Sequence, residues 1–130
     1  MCRWTYRIHP TVMHKPFAPC DAKRFERWLS VFDSEDKRLH VTPQQFRWKA
    51  QRFPTDKTTF IEGIVTMGGA GGPMMKDGVS ILLYACNASM EKEAFYNSDG
   101  DFLIVPQHGA LLVKTELGRI RVEPLEICVI

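Results

Sequence analysis

No apolar run in the 130 residues reaches the roughly 20 needed to cross a bilayer. The opening residues, Met1-Cys2-Arg3-Trp4-Thr5-Tyr6-Arg7, lack the continuous apolar core of a secretory signal. A cytosolic location is expected, and the sequon Asn87-Ala88-Ser89 carries little weight without a secretory route. An excess of one charge is missing too. Net charge is +2, with Lys and Arg dispersed, so there is no electrostatic footprint for nucleic acid. The four cysteines, Cys2, Cys20, Cys86 and Cys128, form no C-x-x-C pair. In a cytosolic chain this argues against a disulfide framework. Cys86 and Cys128 lie in apolar runs and are expected to be small buried residues. There is no internal repeat, low-complexity tract or linker, and the length fits one domain.

Motifs that carry chemistry are equally scarce. A metal site on a strand or helix needs pairs such as H-x-H or H-E-x-x-H, and His9, His14, His40 and His108 form neither. Gly68-Gly69-Ala70-Gly71-Gly72 has no Gly-Lys-Ser/Thr ending, and Pro73 follows where helix N–H groups would hold phosphate. The G-x-G-x-x-G pattern fails at Met74, so a flexible loop between strands is expected there. Asn97-Ser98-Asp99-Gly100-Asp101 resembles the start of a calcium loop. Phe102 then occupies the place of the glycine, and His108 that of the bidentate glutamate. These side chains are expected to satisfy turn backbone groups instead. No Ser or Cys stands in a G-x-S-x-G context. Glu91, Glu93, Glu116, Glu123 and Glu126 read as solvated. No catalytic, cofactor-binding or metal residue is assigned.

What the chain does have is strand signal, densest from Phe95 to Ile130. Arg119-Ile120-Arg121-Val122-Glu123 alternates charge and aliphatic, the pattern of a strand with one wet and one buried face. Turn residues divide this region into four segments, at Asn97–Gly100, Pro106–Gly109, Glu116–Gly118 and Glu123-Pro124. A meander is expected. Strands are also predicted at Trp4-Tyr6-Ile8, Phe46–Lys49, Thr58–Met67 and Val79–Cys86. Ala22, Phe25, Trp28, Leu29 and Phe32 recur at helical spacing after Asp21, which predicts a short amphipathic helix over Asp21–Phe32. The total is about seven strands and one short helix: a mainly β fold with the turn spacing of an antiparallel β-sandwich or jelly-roll-like sheet.

Several segments carry a resemblance. Phe95-Tyr96-Asn97-Ser98-Asp99-Gly100-Asp101-Phe102-Leu103-Ile104-Val105-Pro106-Gln107 resembles a stretch of the homogentisate 1,2-dioxygenase family. So do Glu126–Ile130, Cys86–Glu91, Gly68–Gly71, Phe46–Lys49, Tyr6-Arg7-Ile8 and His14-Lys15-Pro16-Phe17, in the family's order. Only the stretch between Pro19 and Gln44 diverges. The resemblance implies a cupin-superfamily enzyme of tyrosine and phenylalanine catabolism. Such an enzyme opens the ring of homogentisate with O₂ to give maleylacetoacetate. It implies Fe(II) on two histidines and a glutamate, a face that leaves positions open for substrate and O₂, and assembly as a homo-oligomer.

The resemblance covers part of the family's N-terminal β domain. The C-terminal iron-binding domain is expected to be absent from this chain, the sheet incomplete, and the chain inactive alone. Ile120, Val122, Ile127, Val129 and Ile130 are then expected to lose cover. The first alternative is a non-catalytic β module that associates with a full-length paralogue through an open sheet edge. A self-sufficient cupin-like metalloprotein is the second, and the missing H-x-H speaks against it.

Overall fold

The computed structural model describes residues 12, 13, 15–97 and 100–130. The expected strand at Trp4-Tyr6-Ile8 lies outside them, as do His9 and His14. Among the described residues the chain is mainly strand with almost no helix. Six strands form three two-stranded antiparallel pairs: β1 (Ile64–Gly72) with β2 (Asp77–Tyr84), β3 (Leu103–Ile104) with β6 (Cys128–Val129), and β4 (Leu111–Thr115) with β5 (Gly118–Val122).

The long hairpin corrects two expectations. The predicted strand Thr58–Met67 starts late, because residues 60–63 make a turn closed by the Gly63 N–H on the Thr59 carbonyl at 3.0 Å. The glycine tract is not a loop but the second half of β1, paired residue by residue to Gly72↔Asp77. A bulge between Thr66 and Gly68 shifts the register. Glycine is needed at position 69, where a Cβ would lie 2.3 Å from the Phe32 ring and 2.5 Å from the Val79 carbonyl oxygen. The bare backbone is thus a seat for an aromatic ring. A 3-10 turn, Pro73–Met75, reverses the chain, and Lys76 closes it in the left-handed region at φ 56°.

The predicted helix over Asp21–Phe32 reduces to a single 3-10 turn, Ala22–Phe25. Tertiary hydrogen bonds take the rest. Thr66 N donates to the Arg27 carbonyl (3.0 Å), Leu29 N to Thr66 Oγ1 (2.8 Å) and Phe32 N to the Gly71 carbonyl (3.1 Å). Residues 27–32 therefore run along the outer edge of β1. One turn of helix makes few internal bonds, so an available strand edge outcompetes it. Phe46–Lys49 is exposed and forms no strand.

The C-terminal third is not a meander. β4 and β5 form a tight inner hairpin. The Thr115 hydroxyl accepts from Leu117 N and donates to the Gly118 carbonyl, at 3.2 Å each. β3 and β6 pair around the hairpin, and Phe102 and Ile130 extend that ladder by exchanging both backbone bonds (2.9 and 3.0 Å). Pro106 has no N–H and closes off any ladder from β3 toward β4. The alternation had specified faces, and it left partners open. Leu111↔Val122 and Val113↔Ile120 do share one face.

Where the nested strands close, Ile104, Val122 and Cys128 are buried together, with Tyr84, Phe102, Leu111 and Val113 packed against them. The expectation that Val122 loses cover is wrong: it is 2% exposed. Ile120, Ile127, Val129 and Ile130 are exposed as expected. Cys128 is buried, whereas Cys86 is only half-buried, and that burial pushes its thiol pKa up.

Candidate functional site

Six rings converge where the Ala22–Phe25 turn and the residues after it, the 60–63 turn, the end of β2 and the non-strand segment before β3 meet. Phe60 is the hub, 4.9 Å from Tyr84, 6.1 Å from Phe95 and 6.3 Å from Phe102. Phe95 and Phe102 meet edge-on at 5.8 Å, Trp28 meets Phe95 at 5.9 Å, and Phe25 touches Trp28 at 6.3 Å. These offset and edge-on geometries are favourable beyond the area they bury. The cluster binds four separate stretches of chain that the three small sheets do not connect.

Beside the rings lies a charged clasp. Arg24 Nε donates to Glu62 Oε1 at 3.2 Å and its Nη2 to Glu93 Oε2 at 2.8 Å. Glu62 Oε2 accepts from both the N–H and the hydroxyl of Thr59, at 3.0 and 2.9 Å. Chiefly through those Thr59 bonds, and then through the Arg24 charge, the Glu62 carboxyl is held below its ordinary pKa. Glu93, read from sequence as solvated, is instead half-buried and paired. A third fastening is Asn87. Its Oδ1 accepts from Thr58 N at 2.8 Å, and its Nδ2 donates to the Pro54 and Asp56 carbonyls at 3.0 and 2.9 Å. Sequence reasoning missed the clasp because its partners lie 38 and 69 residues from Arg24, and no local pattern marks them.

The clasp has a consequence for pH. A carboxyl whose pKa is lower folded than unfolded stabilises the fold above the unfolded value, near 4.3, and that contribution fades as pH falls. Acid is therefore expected to release residues 24–29 from the 59–66 segment before the β4–β5 hairpin opens. Amide protection at Leu29 and Thr66 should drop through the carboxylate range. In Glu62→Gln the protection should already be low at neutral pH and vary little with acid. Equal, pH-independent protection in both chains would contradict this.

The two described histidines each pack against an aromatic ring. The His40 ring packs edge-on against Phe46 at 5.5 Å, and His108 tilts against Phe53 at 5.5 Å. In the calcium-like stretch, Asn97 Nδ2 donates to the Gly100 carbonyl at 3.0 Å, a turn bond. Glu126 Oε2 likewise accepts from Glu123 N at 2.8 Å. Among the described residues, no three His, Cys, Asp or Glu side chains come together as metal donors. These residues do not fit an iron site.

Surface dominates the molecule. A compact chain of 14.9 kDa exposes about 7,000 Å², whereas this one exposes 12283 Å². The buried apolar side chains among the described residues are Ile61, Ile64, Ile104, Val122 and Cys128, with Pro106 beside them. On β2, Val79 (62%) and Ile81 (60%) stand in solvent, and Leu103 (60%) and Val129 (58%) do so on the β3–β6 pair. Among the described residues no helix is long and apolar enough to cross a membrane.

The described residues thus define a mainly β unit whose strands carry exposed apolar side chains. Comparison gives the family. The profile described as homogentisate 1,2-dioxygenase N-terminal matches residues 1–130, and the chain belongs to that family. A homogentisate 1,2-dioxygenase of Dictyostelium discoideum is 45% identical over 128 residues. The match covers 98% of this chain and 28% of that relative's length.

Proposed function

We propose that this chain is part of the N-terminal β domain of a homogentisate 1,2-dioxygenase, and that it acts as scaffold rather than as reaction centre. The carrying observation is the open apolar surface of a chain that matches 28% of its relative. In this reading the exposed faces of β2 and of the β3–β6 pair are covered by further protein of the enzyme. The three strand pairs become parts of one jelly-roll sandwich. Fe(II), homogentisate and O₂ engage residues that this chain does not supply, in a cytoplasmic homo-oligomer of tyrosine and phenylalanine catabolism. The aromatic hub and the Arg24 clasp hold the scaffold's segments in place.

The test is oxygen uptake. Purified chain with homogentisate, Fe(II) and ascorbate is expected to consume O₂ no faster than the same chain boiled. Uptake above the boiled control, with the absorbance of a ring-opened product, would overturn the scaffold reading.

A second reading is favoured by β2 itself. Its eight residues carry exposed Val79 and Ile81 and no Pro or Lys to block pairing. Such an edge can add to the sheet of a full-length paralogue. Co-purification with an intact enzyme, lost in Ile81→Lys, would support that role.

A further inference from the structure

The outer face of the β4–β5 hairpin differs from every other strand face described so far. Register puts Lys114 directly opposite Arg119 and Leu112 directly opposite Arg121. All four side chains are exposed. Their alternates, Leu111, Val113, Ile120 and Val122, occupy the opposite face, where Val122 is part of the buried cluster and Leu111 and Val113 pack against it. Three cations therefore share one face of a hairpin of two five-residue strands. Arg121 is answered by Glu123, whose Oε1 accepts from its Nε at 2.8 Å. Among the described residues neither Lys114 nor Arg119 has an ion-pair partner. Like charges directly opposite across a strand pair oppose pairing, and an anion bridging them would remove that repulsion.

We propose that this face docks an extended acidic segment of a partner protein. Alternate residues of a strand recur about every 6.7 Å. The Lys114–Arg119 row and the Leu112–Arg121 row are one such step apart. A partner strand carrying carboxylates at i and i+2 would set one between Lys114 and Arg119 and the next on Arg121, where a guanidinium can take both oxygens. Leu112 then meets an apolar part of the segment. Nucleic acid is the poorer fit. The face has no aromatic ring on which a base could stack, and the chain's net charge of only +2 gives little long-range attraction.

Fluorescence anisotropy of a labelled peptide alternating Glu and Val, with a Gln-Val peptide as control, tests this on the whole chain. The acidic peptide is expected to bind, and to bind several-fold more weakly as salt rises from about 50 to about 200 mM. Lys114→Glu is expected to weaken binding about tenfold, as its contact becomes repulsive and the new carboxylate competes for Arg119. That variant should melt no lower than its parent, because it puts a carboxylate opposite Arg119. Equal binding of the acidic and neutral peptides would overturn the proposal, as would equal binding by Lys114→Glu. Tighter binding of an oligonucleotide at the same salt would assign the face to nucleic acid instead.

Discussion

Phe60→Ala is expected to be among the most damaging single changes to this chain, lowering its stability by about 3 kcal/mol. Among the described residues, this ring alone contacts Tyr84, Phe95 and Phe102 together. Its removal costs transfer energy, leaves a void among Tyr84, Phe95 and Phe102, and abolishes three favourable ring pairs at once. Because these segments are not joined by a common sheet, the loss uncouples the β1–β2 hairpin from the nested β3–β6 strands. Phe60→Leu keeps most of the volume and should lose about 1.5 kcal/mol. Urea unfolding followed by circular dichroism reads both. A loss below about 1 kcal/mol for the alanine variant would mean the cluster is not what joins these parts.

Gly63→Ala follows, for a different reason. Gly63 is buried at the entrance to β1, donates to the Thr59 carbonyl and accepts from Ala85 N at 3.2 Å. A Cβ there would stand 2.1 Å from the Ala85 carbonyl oxygen and 2.9 Å from its carbon. Those atoms are backbone, so no side chain can swing away, and either the turn or the end of β2 must move. The expected loss is about 3 kcal/mol, at the upper end for overpacking. Gly68→Ala is the control. A Cβ at Gly68 meets nothing within 4 Å, so this change should be neutral or slightly stabilising by reducing the freedom of the unfolded chain. Comparable losses for the two variants would show that the effect comes from glycine content and not from the close approach at Gly63.

These two positions also mark what could be read in the sequence. The strand content of Val79–Cys86 and of the C-terminal third was legible, because period-2 alternation and turn residues are local signals. The facing of Ile120 and Val122 toward one side was legible for the same reason. Pairing was not. Alternation says which way a side chain points, and nothing in it says that β3 would skip β4 to find β6. The helix over Asp21–Phe32 failed because its apolar spacing is also satisfied by residues laid along a strand edge with rings turned inward. The glycine tract misled in the opposite sense. Its composition suggests flexibility, whereas Gly69 is bare so that Phe32 can sit on it. As for the site, the Arg24–Glu62–Glu93 clasp joins residues that only the fold makes neighbours. The family resemblance, carried by long ordered segments, was far more legible than any of these contacts.

The central claim is that the open β faces of this chain are made to be covered by other protein. Sedimentation velocity over a range of concentrations, in physiological salt, tests it most directly. The account predicts concentration-dependent association of the isolated chain, with a broad thermal transition, because Val79, Ile81, Leu103 and Val129 are exposed on strands with free edges. Ile81→Lys and Val129→Lys together should shift the population toward monomer. A single monomeric species at all concentrations, melting sharply and cooperatively, would contradict the account.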